Sequence, residues 1–357
     1  MFISKTIKFF CVGLICVSAT LSTAFAKPMR VTMMLEHEGF LLWYAMQQGW
    51  DQELGLELSL NIKNLSGADI LNITKDAKNW DVAAIGAVPL AICSKNLPIT
   101  AFAIANDESQ STEIFVKSDS SILKKRGYNH NYPNIYGSPE SVRGKTFFIR
   151  ENTSSFYTLM TWVKIIGLNF KEINFKNVAI ADMVQDFSQS NAEGLVAWSP
   201  ITYDAIRNGY AHVASADDLH LFLPVVFCTP PDYAEQHAED LSKLLSIYYR
   251  ASQEQKFHLN KMTKAYKKFL KTYTGDNFSE AFCKFDLQRH RLLSLDEQID
   301  YFKDYNGQSK IMGVRSQILT IFRDVAAAYN WNDTYDEKDY PATATTRYLV
   351  GAKKYLQ

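Results

Sequence analysis

The sequence predicts an α/β fold made of two βαβ series followed by a helical region. Three observations carry this reading. Short apolar segments alternate with amphipathic ones between residues 31 and 198, the order that gives parallel strands joined by crossover helices. A loop rich in Asn, Tyr, Pro and Gly, from Gly127 to Pro139, splits the alternation into two series. Hydrophobic residues fill 47% of the 357 positions while Lys+Arg 38 balance Asp+Glu 38, so a large core can form without a long charged tract.

The chain opens with a segment of different character. Lys5 and Lys8 lead into an apolar run from Phe9 to about Thr20, and Ala24-Phe25-Ala26 offers the small residues of a cleavage site. This predicts a signal peptide over residues 1–26, cleaved after Ala26, and a periplasmic protein. The run is shorter than the roughly 20 residues of a membrane span. Neither Cys11 nor Cys16 stands in a lipoprotein context. Beyond it, Cys93, Cys228 and Cys283 have no zinc-like spacing and are expected as buried, inert thiols.

The first series follows. Val31–Leu35 reads as a strand, Phe40–Gln48 as a helix ended by Gly49, and Leu56–Leu60 as a strand of period two. Asp69–Ala77 reads as a helix and Val82–Ile85 as a short buried strand ending at Gly86. Pro89 sits near the start of the next helix, where its missing N–H is harmless. Ile99–Ala105 closes the series as a strand. The second series is strand Thr146–Ile149, helix Phe156–Ile166, strand Val178–Ala181, helix Met183–Gln189 and strand Gly194–Trp198. From about Asp240 the pattern is mainly helical. Lys261, Lys264, Lys267, Lys268 and Lys271 recur at helical spacing beside Phe257, Tyr266 and Phe269, as on the solvated side of a core helix.

Function classes narrow by exclusion. Balanced charge argues against nucleic-acid binding by phosphate neutralisation. His37-Glu38 lacks the second His of a zinc-protease helix, since Leu41 stands there. The Gly-x-Ser-x-Gly elbow, the phosphate-binding Gly-rich loop and the dinucleotide fingerprint are all missing. No enzyme, cofactor or metal site is expected. One stretch does carry recognition chemistry. Strand Thr146–Ile149 runs through Arg150-Glu151-Asn152 into Thr153-Ser154-Ser155-Phe156. Thr and Ser there can cap the helix, and its exposed N–H groups attract an anion. Asn152 tolerates a left-handed turn.

Four segments, in order, resemble the periplasmic substrate-binding proteins of ABC importers, of the nitrate/sulfonate/taurine type, to which the thiamine-pyrimidine-synthase-like proteins are related. They are Ala45 to Leu58 (with Gly49, Trp50, Gly55 and Leu56), Asp81 to Pro89 (with Gly86), Val142 to Ser155 (with Gly144 and Lys145), and Ala197-Trp198-Ser199-Pro200. The resemblance covers about residues 31–200. It implies a two-lobed periplasmic-binding-protein fold of type II, each lobe a mostly parallel sheet flanked by helices, with a hinge between them. Lobe 1 is then expected over 27–117 and 216–300, lobe 2 over 118–215, and C-terminal helices packing on lobe 1 over 301–357. It also implies a monomer that delivers a small-molecule ligand to an ABC permease and its ATPase subunits, without chemistry on the ligand.

By that resemblance, ligand-binding positions fall at strand ends, where open sheets place their ligands. They are Glu36, His37, Glu38 and Phe40 after the first strand, and Gly86, Ala87 and Val88 after the strand from Val82. Asn152, Thr153, Ser154, Ser155 and Trp198 face them from lobe 2. Trp198 is expected as a flat apolar wall and Ser154 and Ser155 as hydrogen-bond donors. The sequence departs from the family pattern at Asn152, where the family has glycine. Glu36-His37-Glu38 also places negative charge where a simple oxyanion would not be held. An acidic first loop opposite a Ser/Thr helix start suits a zwitterion such as a taurine-like amino-sulfonate. It equally suits a cationic or heterocyclic ligand such as a thiamine pyrimidine precursor, stacked on Trp198.

Overall fold

The computed structural model describes residues 27–73, 80–95 and 97–356. The expected signal peptide and the end of the helix expected over Asp69–Ala77 lie outside the described residues. Strands β1 (Met29–Met34), β2 (Leu58–Lys63), β3 (Val82–Gly86) and β4 (Ile99–Asp107) belong to the first series. The chain then crosses to β5 (Thr112–Val116), β6 (Thr146–Ile149), β7 (Asn174–Asn177), β8 (Gly194–Trp198) and β9 (Ala211–Ser215). It returns as β10 (Pro224–Thr229). A two-residue-stranded hairpin, β11 (Asp304–Tyr305) and β12 (Gln308–Ser309), and a last strand β13 (Ala342–Ala344) follow.

Two sheets result. One runs β13-β4-β10-β3-β1-β2 and the other β7-β6-β8-β5-β9. β1 pairs in parallel with β2 and β3, and β6 with β7 and β8. The strand that enters each lobe from the other, β10 in the first and β5 in the second, runs antiparallel to both its neighbours. β3, β4 and β10 are covered by helices on both faces, which is why Val82–Ile85 and Ile99–Ala105 read as unbroken apolar runs. β2 is an edge strand of alternating exposure, which explains its period-two pattern.

The lobes meet at a double crossing. Residues 108–111 lead out and 216–223 lead back, side by side: Glu108 N–H donates to the Leu223 carbonyl (3.0 Å) and Asp217 N–H to that of Ser109 (2.9 Å). Arg291 lies alongside, exchanging backbone bonds with Asp107. Thr112–Val116 belongs to the second sheet, so the first crossing precedes the expected boundary after 117. Its Glu113 side chain, buried and paired with Arg289, hides the strand from an apolar pattern.

Several elements differ from the sequence reading. The first helix spans His37–Gln47, so His37 and Glu38 sit in its first turn and not in a loop before it. Glu36 is its N-cap, with φ −144°, and Glu38 in the first turn complements the helix dipole. The strand expected over Val178–Ala181 is β7, four residues earlier. As an edge strand it is polar, while Val178 and Ile180 bury themselves in the turn before the helix Met183–Ser188. The helix Lys310–Tyr329 packs on both lobes, not on lobe 1 alone. It touches the lobe-1 helix Ala87–Cys93 and the lobe-2 helix Ser154–Ile165, with Phe322 against Phe156. On the helix Leu259–Thr274, Met262, Tyr266, Phe269 and Leu270 are buried, and Lys261, Lys264, Lys268 and Lys271 are exposed. Phe257, expected on the same apolar face, is exposed at the end of the preceding helix. Cys228 and Cys283 are buried thiols, pushed up by burial to about 12 and about 11. Cys93 is half-buried.

Candidate functional site

Strand ends on both sides of the crossing converge between the lobes. From lobe 1 come Glu36, after β1, and Glu38 in the first turn of the helix. From lobe 2 comes Trp198, the last residue of β8, whose indole N–H donates to Glu36 Oε1 at 2.5 Å. Trp198 is also the register partner of Thr112, at the start of the outgoing crossing. Glu108, on that crossing, completes a trio. One carboxylate oxygen from each of Glu36, Glu38 and Glu108 lies within 4.8 Å of the others.

All three acids are buried. Burial raises each carboxyl above the ordinary range. The Glu108 charge adds to this for Glu36 and Glu38, and the Asp107 charge adds to it for Glu108. Glu36 Oε2, both Glu38 oxygens and Glu108 Oε1 are buried with no donor in hydrogen-bond geometry, although Glu36 and Glu108 lie close enough to share a proton and the Asn106 amide lies near the Glu38 carboxyl. Such atoms are costly, and a set of them in one place is unusual. An all-oxygen donor set of this kind has the chemistry to receive a hard cation or an N–H-rich one.

Behind the acids lies a polar network of fixed direction. The Leu287 carbonyl accepts from Gln255 Nε2 (2.9 Å), so Gln255 Oε1 faces His37 Nε2 (2.9 Å). His37 therefore carries its proton on Nε2 and accepts at Nδ1 from Asn106 Nδ2 (2.9 Å). Burial and the facing His290 push the His37 imidazole down to about 3, so it is neutral. The two rings stack at 4.5 Å. His290 in turn bonds Asp286, which also accepts from Ser199, Tyr203 and Tyr266. Burial would raise the Asp286 carboxyl, but the His290 ring and these hydroxyls outweigh it and hold it well below its usual range. Asp286 thus ties the end of β8 to the C-terminal helices.

The other expected residues lie along the same interlobe seam. Asn152 has φ 59°, the left-handed turn anticipated for it. The hydroxyls of Thr153 and Ser155 are committed to local structure. Thr153 Oγ1 donates to the Arg150 carbonyl and caps Ser155 N–H, and Ser155 Oγ donates to the Val196 carbonyl. That leaves Ser154 and, one turn on along the same face, the buried and unpartnered Thr158 hydroxyl. Gly86, Ala87 and Val88 open the helix Ala87–Cys93, which touches the helix Ser154–Ile165 across the seam. Arg150 forms an ion pair with Asp69 from the helix Gly67–Ile73, also across it. Phe40 is turned away into a cluster with Tyr266 (4.8 Å) and Phe269 (5.7 Å). It is core, because the helix starts earlier than expected and rotates position 40 inward.

Sequence reasoning missed Glu108, Asn106, Thr158, Tyr248 and Asp286. The strand-end rule would have found the first two, since the polar run from Asn106 to Glu108 follows directly on an apolar strand. Tyr248 and Asp286 come from helices with no local motif.

No family model matches this chain. A protein of Brachyspira hyodysenteriae described as an ABC transporter periplasmic binding protein is 22% identical over 201 residues, which are 56% of this chain and 57% of that protein. Among solved structures, the periplasmic aliphatic sulphonate binding protein of Escherichia coli superposes with a TM-score of 0.66 at 14% identity, covering 88% of this chain and 92% of that one. The periplasmic nitrate-binding protein of Synechocystis gives 0.63 at 14% identity, with 92% and 89% covered. At these identities the likeness gives the fold. This chain has the two-lobed fold of the periplasmic binding proteins.

Proposed function

We propose that this chain is the periplasmic solute-binding component of an ABC importer, handing a small organic nutrient to a permease without altering it. The fold and the descriptions of its relatives support this reading. The observation that carries it is the set of buried, unpartnered polar atoms gathered between lobes that join through a double crossing. A ligand touching both sides binds the closed arrangement better than the open one, which drives closure. Among the described residues no helix is long and apolar enough to cross a membrane.

The ligand proposed is a zwitterion of the amino-sulfonate kind, its ammonium on the acids and its anion toward Ser154, Thr158 and the helix start after Asn152. A thermal-shift screen of the protein, unfolded and refolded to strip bound ligand, tests this. A ligand at about 100 times its dissociation constant adds about 2.7 kcal/mol of stability, a rise of several degrees at most for a chain of this size. The shift is expected with taurine-like zwitterions and absent in Trp198→Ala. Turnover of the ligand would contradict the assignment.

A further inference from the structure

We infer that the interlobe acid cluster selects the ligand by a cationic nitrogen head with several N–H donors, an ammonium or amidinium, held jointly by Glu36, Glu38 and Glu108. This rests on the solute-binding reading of the same cleft and names the ligand class within it.

The argument is one of donors and acceptors. Glu36 Oε2, both oxygens of Glu38 and Glu108 Oε1 are unpartnered acceptors. Asn106 is an independent witness. It lies fully buried beside Glu38, and the chain from the Leu287 carbonyl through Gln255 and His37 forces its Nδ2 toward His37. Its Oδ1 is therefore left as a further unpartnered acceptor. Tyr248, buried near enough to feel the charges of Glu38 and Glu108, has an unpartnered hydroxyl as well. A wall of acceptors is satisfied by a group that only donates, and three carboxylates favour one that is positively charged.

Two other occupants fit less well. A nitrate, or a sulfonate lacking an amine, would bring more acceptors and more negative charge to the same wall. A bare metal ion would use the three carboxylates, but it leaves Asn106 Oδ1 and the Tyr248 hydroxyl, the further unpartnered groups of the wall, without a donor.

The test uses the full mature protein, stripped of ligand, in calorimetric titrations at neutral pH. Probes are matched pairs and ions: taurine against ethanesulfonate, putrescine and benzamidine against nitrate, and Ca²⁺ and Mn²⁺ alone. Binding by at least one amine or amidine probe is expected, with its amine-free partner weaker by about tenfold or more. Glu38→Gln and Glu108→Gln keep the side-chain shape and remove the charge. Each is expected to weaken the bound probe by about tenfold or more while its unfolding midpoint without ligand does not fall. That second reading separates lost recognition from lost folding. Ethanesulfonate or nitrate binding as tightly as the amines overturns the inference and leaves the importer assignment standing. Metal binding lost in the Glu→Gln variants, with no organic cation bound, overturns it in favour of a metal site. Binding by no probe at all removes both the inference and the solute-binding reading it rests on.

Discussion

Glu38 holds two carboxylate oxygens in a fully buried position with no hydrogen-bond partner, which costs folding about 1–3 kcal/mol. Glu38→Gln offers an amide in place of one acid among three, so the ligand-free variant is expected to match or exceed the parent in a urea melt. The pH dependence follows from the raised carboxyls of Glu36, Glu38 and Glu108. Unfolded, they release their protons near pH about 4.3. Folded, they hold them to higher pH, so their stabilising contribution is present below that value and is lost as pH rises through the raised folded one. Asp286 works in the opposite sense. Held well below its usual range, it contributes stability above about pH 3.9 and loses it as pH falls. His37 acts in the same sense as Asp286: it stays neutral when folded, but the unfolded ring takes a proton below about pH 6.5, so its contribution is lost as pH falls through that range. Because the acids and His37 pull in opposite directions over about pH 4.3 to 6.5, the expected signature is a difference: Glu38→Gln gains stability relative to the parent as pH rises from about 4.3 toward neutrality. A slope unchanged in the variant would mean that Glu38 does not titrate where the geometry places it. Glu36, Glu38 and Trp198 were legible in the sequence because a strand end and a family motif pointed to them. Their partners were not. Asp286 and Tyr248 are brought in by helices far along the chain, and only the fold gives those positions meaning.

At the scale of elements, the second-series strands Thr146–Ile149 and Gly194–Trp198 match the sequence reading because each is a clean apolar run with helices on both faces. The crossing strand Thr112–Val116 escaped it, since Glu113 breaks the run and the buried Arg289 that neutralises it lies far away in sequence. The helical character of residues 301–357 was legible, but not the helix Lys310–Tyr329 itself or its role. Its aromatic residues serve lobe 2 while its first half lies near lobe 1. Phe322 packs on Phe156 at 5.2 Å, and Tyr329 stacks edge-on to Phe175 and donates to the Phe170 carbonyl. Phe322 is almost wholly buried, so Phe322→Ala is expected to cost about 3–5 kcal/mol, read as a lower denaturation midpoint. Because the helix touches both lobes, one cooperative transition should shift as a whole. Two separated transitions, with only one moved, would show that the helix belongs to a single lobe.

For the whole molecule the question is what holds the lobes together when they close. Besides the helix Lys310–Tyr329, which packs on both, three polar contacts join them, and they differ in kind. The Trp198–Glu36 bond is buried and sits on the ligand-facing wall. The Asp286 network is buried behind it and fixes the end of β8 to the C-terminal helices. The Arg150–Asp69 pair lies at the rim, where both side chains keep about a quarter of their exposure. A partly exposed pair is worth only about 0–1 kcal/mol, too little to matter for folding. It is enough to bias an opening equilibrium whose two states differ by a few kcal/mol. Arg150→Ala is therefore expected to leave the unfolding free energy within about 0.5 kcal/mol of the parent and to populate a more open form. A distance between spin labels on the two lobes, measured without ligand, would lengthen or broaden, and saturating ligand would restore the closed value. Raising the salt concentration should mimic the substitution in the parent, because screening weakens a rim pair far more than buried contacts. If the label distance is the same in parent and variant at every salt concentration, the rim pair does not gate the cleft. Closure then rests on the buried contacts and the ligand.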